Sequence, residues 1–174
     1  MDLSIYKVAY DATLVKKLWP TFKQSITDKH GTYGSVGTRG EEAAIKLIYN
    51  NVDGVNKIID HSEDVVQQLI GIDLTIMGKR TWTVDVKGGR SGLYYNKYQK
   101  YWYITIKDNF WDLRKINTHI FHVGPKGDLY VMYNKKMMQN WITENKNMLI
   151  SDTYGDILKI NNLPSFAKTN LSVW

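Results

Sequence analysis

The chain has 174 residues, 43% of them hydrophobic and 23% charged, with three prolines and no cysteine. That length suits one domain with a sizeable core, and the composition excludes a disordered or collagen-like chain, a disulfide framework and thiolate metal sites. Lysine and arginine number 23 against 17 acidic residues, a formal charge of +6, which favours an anionic partner, nucleic acid being the commonest large one.

No apolar run approaches the roughly 20 residues of a membrane span. The opening MDLSIYKVAYDATL has no basic stretch followed by an apolar one, so no signal peptide is expected. The simplest expectation is a cytoplasmic chain with no membrane partner, a virus-encoded protein acting in a host cell included.

Leu14, Val15, Leu18, Trp19, Phe22 and Ile26 fall at helical spacing and predict an N-terminal helical segment over about 11–29, capped by Asp11 and kinked or split at Pro20. A glycine-rich loop is expected over 30–40 and a second helix over about 38–52. A short strand follows at 55–59, then a polar turn. A hairpin is expected from 68–76 and 79–87, with a Gly-Lys turn between. Another loop, 88–92, leads to a tyrosine-rich stretch at 93–100 and a strand at 101–107. THIFHV (118–123) and LYVMYN (129–134) read as two strands joined by GPKGD, followed by a helix at 135–146 and a last strand at 157–160. This mixture argues for α/β or α+β, not a bundle.

Alternate residues of a strand share a face. Ile72, Leu74 and Ile76 therefore point one way with Trp82, Val84 and Val86, while Asp73 and Thr75 point the other way with Thr83, Asp85 and Lys87. If the register brings the two aspartates together, each raises the other's pKa. A divalent cation between them relieves that cost, and carboxylate oxygens suit Mg²⁺ or Mn²⁺. Lys87 would hold or polarise a water, or stabilise charge on a phosphate. The alternative is an ordinary half-exposed hairpin with an Asp/Lys pair worth under about 1 kcal/mol.

In the helix TRGEEAAIKLIYNNV, turning about 100° per residue, the apolar face of Ala44, Ile45, Ile48 and Val52 centres close to Glu41. A carboxylate there needs a partner. Thr38-x-x-Glu41 also matches a helix capping box, in which Glu41 folds back onto the backbone.

Glu41 on a helix, Asp73 in GIDLTI and Asp85-Val86-Lys87 in TVDVKG together resemble the PD-(D/E)xK nuclease superfamily, over roughly 37–107. GTRGEEAAIKLI resembles the opening helix of the archaeal Holliday-junction resolvase branch. The residue before Asp73 is Ile72, not proline, and the interval from Glu41 to Asp73 is long. The resemblance implies a single restriction-endonuclease-like domain over 1–174, an α/β fold with a mixed β-sheet flanked by helices. It implies catalytic Asp73, Asp85, Lys87 and Glu41, and one or two Mg²⁺ ions (Mn²⁺ substituting) held by Asp73, Asp85, the Val86 carbonyl and Glu41. The products would carry a 5′-phosphate.

Arg90 and Ser91, directly after Lys87, would approach a scissile phosphate or form a plain turn. Arg39, Lys79 and Arg80 are candidate phosphate contacts. Lys97 and Lys100 interleave with Tyr94, Tyr95, Tyr98, Tyr101, Trp102 and Tyr103, a mixture that suits stacking on bases and equally suits core or dimer packing. His119 and His122, three apart on a strand, face opposite sides and do not build a zinc site. Met132, Met137, Met138, Trp141 and Ile142 read as core. The expectation is a metal-dependent DNA endonuclease, acting as a homodimer on junctions or branched DNA. The alternatives are a short type II-like restriction endonuclease and a non-catalytic nucleic-acid-binding protein.

Overall fold

The computed structural model describes residues 33–153 and 155–171, without the side chains of 33–39 and 90. The helix expected at 11–29 lies outside the described residues, as do the side chains of Arg39 and Arg90.

Helix α1 spans Tyr33–Asn51, so the stretch expected as a glycine-rich loop is helical from residue 33. Glycine costs a helix about 1 kcal/mol against alanine, and packing overrides that cost here. Gly40 packs against the chain leaving the hairpin, where a Cβ would lie at an ordinary contact distance of 3.6 Å from the Gly88 Cα. Ala44, Leu47 and Ile48 are buried on its inner face.

Strand β1 (Val55–Asp60) is followed by a short helix, α2 (Val65–Leu69), and by β2 (Leu74–Gly78) and β3 (Thr81–Lys87). The first hairpin arm was expected from residue 68, yet the strand starts only at Leu74. Asp64 caps α2 by accepting from the Gln67 N–H at 3.2 Å, and the Gln68 amide donates to the His61 and Ser62 carbonyls. These polar contacts hold VVQQL as a turn of helix although its residues would also suit a strand.

The chain continues through β4 (Leu93–Asn96), β5 (Tyr101–Ile106), β6 (His119–Val123) and β7 (Tyr130–Asn134) to helix α3 (Lys135–Glu144). Asn134 caps α3, its Oδ1 accepting from the Met137 N–H at 3.0 Å. Three more strands follow: β8 (Leu149–Asp152), β9 (Gly155–Lys159) and β10 (Lys168–Thr169).

The described residues form a mixed α/β structure with few helices and mostly antiparallel strands. One sheet runs β1-β2-β3-β6-β7-β10, its neighbours antiparallel except for parallel β3 and β6. The other runs β4-β5-β9-β8, antiparallel throughout. A mixed β-sheet flanked by helices was expected. Instead α1 covers one face of the six-stranded sheet, sealing Leu74, Ile76, Val84 and Phe121. The opposite face meets the four-stranded sheet and α3, where Leu93, Ile104 and Leu158 pack with Ile120, Val131, Tyr133, Met138 and Ile142. Met137, expected in the core, is 49% exposed, because one step round α3 from Met138 already faces outward. Among the described residues no helix is long and apolar enough to cross a membrane.

Candidate active site

The β2–β3 register pairs Leu74 with Val84 and Ile76 with Trp82. One residue further, Asp73 comes beside Asp85. The backbone fixes Asp73 on both sides: its N–H donates to the Val84 carbonyl at 2.9 Å, and its carbonyl accepts from the His61 N–H at 2.8 Å. The Val86 N–H then donates to Asp73 Oδ2 at 2.7 Å, and the Asp73 carboxyl feels the Asp85 charge directly. Burial, and next the Asp85 charge, push the Asp73 carboxyl up to about 7, against the pull of the Val86 N–H and Lys87.

Lys87 Nζ stands 2.9 Å from Asp85 Oδ2. Burial works to lower the Lys87 ammonium, but the Asp85 charge and hydrogen bond, with Asp73 behind, hold it above its ordinary value. Glu41 is half-buried on α1. Burial, then the charges of Asp73 and Asp60, push it up to about 8. Glu41 does not act as part of a capping box, because α1 is already two turns old at that point. Asp73 is thus the middle of a chain of acids running from Asp60 and Glu41 to Asp85. The part of Asp60, at the end of β1, carried no signal in the sequence.

The polar face of the hairpin opens only partly to water: the side chains of Lys87 and Asp85 are 22% and 15% exposed. Asp85 and Lys87 border a narrow cavity against the second sheet, walled also by Lys115, Asn117, His122 and Lys135. His122 Nε2 lies 2.8 Å from the Tyr133 hydroxyl and Nδ1 lies 3.0 Å from the Ser91 carbonyl. A carbonyl only accepts, so Nδ1 carries the proton and Nε2 receives the tyrosine hydrogen. Burial drives the His122 imidazole down to about 4 and Tyr133 well above its ordinary value. His119 faces the other side of the sheet, its ring 4.9 Å from that of Trp82.

Other candidates do not join this cluster. Lys79 and Arg80 are exposed at the hairpin turn, the far end of β3, roughly 17 Å away at about 3.3 Å per residue. Lys97 and Lys100 are exposed on the β4–β5 turn. Ser91 borders the cavity and turns its carbonyl to His122. The aromatic residues of β4 and β5 meet as cross-strand pairs, Tyr94 with Tyr103 at 6.0 Å and Tyr95 with Trp102 at 5.3 Å between ring centroids.

Among the described residues no three histidine, aspartate or glutamate side chains form a ready metal cage. Mg²⁺ does not require one, since it is held by one or two carboxylates with waters and substrate phosphates. Asp73 and Asp85 supply hard oxygen donors side by side, and the repulsion that raises Asp73 is what a cation relieves. In extended backbone the N–H and C=O of one residue face the same edge, so the Val86 carbonyl lies towards Asp73. This donor set fits Mg²⁺ or Mn²⁺. No protein-family model, curated protein or solved structure matches the chain.

Proposed function

We propose that this protein is a divalent-metal-dependent DNA endonuclease of restriction-endonuclease-like architecture, selective for junctions or branched DNA. The observation that carries the reading is the meeting of Asp73 and Asp85 across the hairpin, with Lys87 2.9 Å from Asp85. The order of elements supports it: a helix bearing Glu41, then the hairpin bearing Asp73 and Asp85-Val86-Lys87, then further strands of the same sheet. Between β3 and β6 stands the β4–β5 hairpin, which belongs to a second sheet.

When bound, Mg²⁺ or Mn²⁺ supplies Lewis-acid polarisation of a phosphate and a more acidic water. Asp73 and Asp85 would hold the ion, and Glu41, pushed up to about 8, would release its proton to solvent once positive charge sat nearby. Lys87 orients the attacking water and stabilises the negative charge that grows on the phosphoryl oxygens. The water oxygen would form a bond to phosphorus as the P–O3′ bond breaks, its proton passing to solvent and the leaving 3′-oxygen taking one from solvent, which leaves a 5′-phosphate and a 3′-hydroxyl.

The test is incubation with supercoiled plasmid, single-stranded DNA and a four-way junction in Mg²⁺, Mn²⁺ or EDTA, repeated with Asp85→Ala and Lys87→Ala. The expected result is metal-dependent cutting, preferring the junction, that both variants lose. Binding without cutting in any metal would leave a non-catalytic nucleic-acid-binding protein. Cutting of linear duplex at one base sequence would favour a restriction endonuclease.

A further inference from the structure

Four lysines, Lys87, Lys107, Lys115 and Lys135, line the narrow cavity with one acid, Asp85. Such a gathering of like charge in a half-dry site is costly. Two of the lysines are held by neutral groups. Lys115 Nζ donates to the Leu69 carbonyl at 3.1 Å and to that of Gln68 at 3.4 Å. Lys135, 7% exposed, donates to the Lys115 carbonyl and to Asn117 Oδ1 at 3.3 Å. An ammonium has three donors, so each keeps one beyond these bonds. Burial works to lower both.

The surrounding chain is shaped to keep these ammoniums in place. Gly71 has a φ of +81°, and a Cβ there would lie 2.9 Å from Lys115 Cδ. The glycine both makes the turn and clears the path of the lysine stem. Asn117, 4% exposed, donates its amide to the His119 carbonyl at 3.0 Å, which leaves its Oδ1 for Lys135. The cavity volume is about 20 Å³, room for one water-sized group. It admits a phosphoryl oxygen and excludes a base or sugar.

We propose that this cavity is a phosphate subsite, which takes one oxygen of a nucleic-acid phosphate neighbouring the one held at Asp85 and Lys87. Lys115 and Lys135 supply the charge and the free donors. Such a subsite fixes the position of the backbone and reads no base. The nucleic-acid source of the phosphate rests on the nuclease reading above; the phosphate chemistry does not.

The test uses the full chain in EDTA, so that cleavage plays no part. Thermal stability is followed against inorganic phosphate, with chloride at matched ionic strength as the control. Saturable stabilisation by phosphate is expected in the wild type and in the surface variant Lys146→Met. At least a tenfold loss of apparent affinity is expected in Lys115→Met. Asn109→Asp places a carboxylate on the exposed rim without touching the lysine bonds, and should show the same loss if Lys115→Met fails to fold. A phosphate response no greater than that to chloride, or unchanged affinity in the variants, overturns the proposal.

Oligonucleotides of equal length then separate the sources. Tighter binding with a 5′-phosphate than with a 5′-hydroxyl assigns the subsite to a strand end. Equal binding that both variants weaken assigns it to an internal phosphate. Oligonucleotide binding that the variants leave untouched overturns the nucleic-acid assignment. Absence of cleavage in Mg²⁺ with phosphate binding intact counts against the nuclease reading alone.

Discussion

The Asp73 carboxylate accepts a 2.7 Å hydrogen bond from the Val86 N–H, which ties the start of one hairpin arm to the middle residue of Asp85-Val86-Lys87 on the other. With that bond made, Asp73 cannot swing away from Asp85. The two acids are held together before any cation arrives, and the cost shows in the Asp73 carboxyl, pushed up to about 7 by burial and by the Asp85 charge.

Removing Asp85 leaves the Lys87 ammonium without its 2.9 Å partner. A hydrogen bond to a charged group contributes about 1.5–3 kcal/mol, so Asp85→Ala should lose about 2 kcal/mol in urea unfolding as well as all cleavage. Lys87→Met, which removes the charge and keeps the stem, should lose cleavage with a smaller loss of stability.

Stability should fall with rising pH over a defined window. Asp73 goes from an ordinary 3.8 to about 7 on folding, and Glu41 from 4.5 to about 8. A raised carboxyl contributes stability that is complete below its unfolded value and is lost as pH climbs through the folded one. The loss therefore runs from about pH 4 to about pH 7 for Asp73 and to about pH 8 for Glu41. Mg²⁺ reverses it by replacing the proton, so the rise in Tm on adding Mg²⁺ should be larger at pH 8 than at pH 5. Glu41→Gln should raise Tm by a few degrees at pH 9 and leave it unchanged at pH 4.

The Tyr133–His122 bond runs the opposite way with pH. His122 falls from 6.5 to about 4 in the folded chain, so its contribution is present above pH 6.5 and is lost as pH drops towards 4. Tyr133→Phe leaves Nε2 buried without a donor, at a cost of about 1–3 kcal/mol. Equilibrium unfolding at pH 7.5 measures that cost.

The alternation of LTIMG and TWTVDVK was enough to predict the hairpin and to place Asp85 and Lys87 on one face. It could not show that this face is covered. The second sheet is built from a tyrosine-rich stretch with weak alternation and from 149–152, which carries no strong pattern. Lys115, Asn117 and Lys135 enter the cavity from a loop and a helix start about 30–50 positions beyond the hairpin, and nothing local marks them. The start of α1 was hidden by Gly34, Gly37 and Gly40, which local propensity assigns to a loop; of these, Gly40 packs against Gly88. Residues 68–70 were read as strand because apolar content alone does not separate strand from helix over so short a run.

The turn after Lys87 is sterically closed at Gly92. A Cβ there would lie 2.3 Å from the Val123 carbonyl oxygen, a rigid backbone atom at the end of the parallel neighbour β6. Gly92→Ala should cost about 1–3 kcal/mol and move Ser91, whose carbonyl holds His122. Loss of Tm together with a changed His122 imidazole signal in NMR checks both parts.

The central claim is that Asp73 and Asp85 hold a divalent cation. Mn²⁺ titration followed by electron paramagnetic resonance measures this without any nucleic acid. The account predicts one saturable Mn²⁺ site per chain in the wild type, absent in Asp73→Asn and in Asp85→Asn while both remain folded. A wild type that binds no Mn²⁺ above background, or variants that keep the site intact, would contradict it.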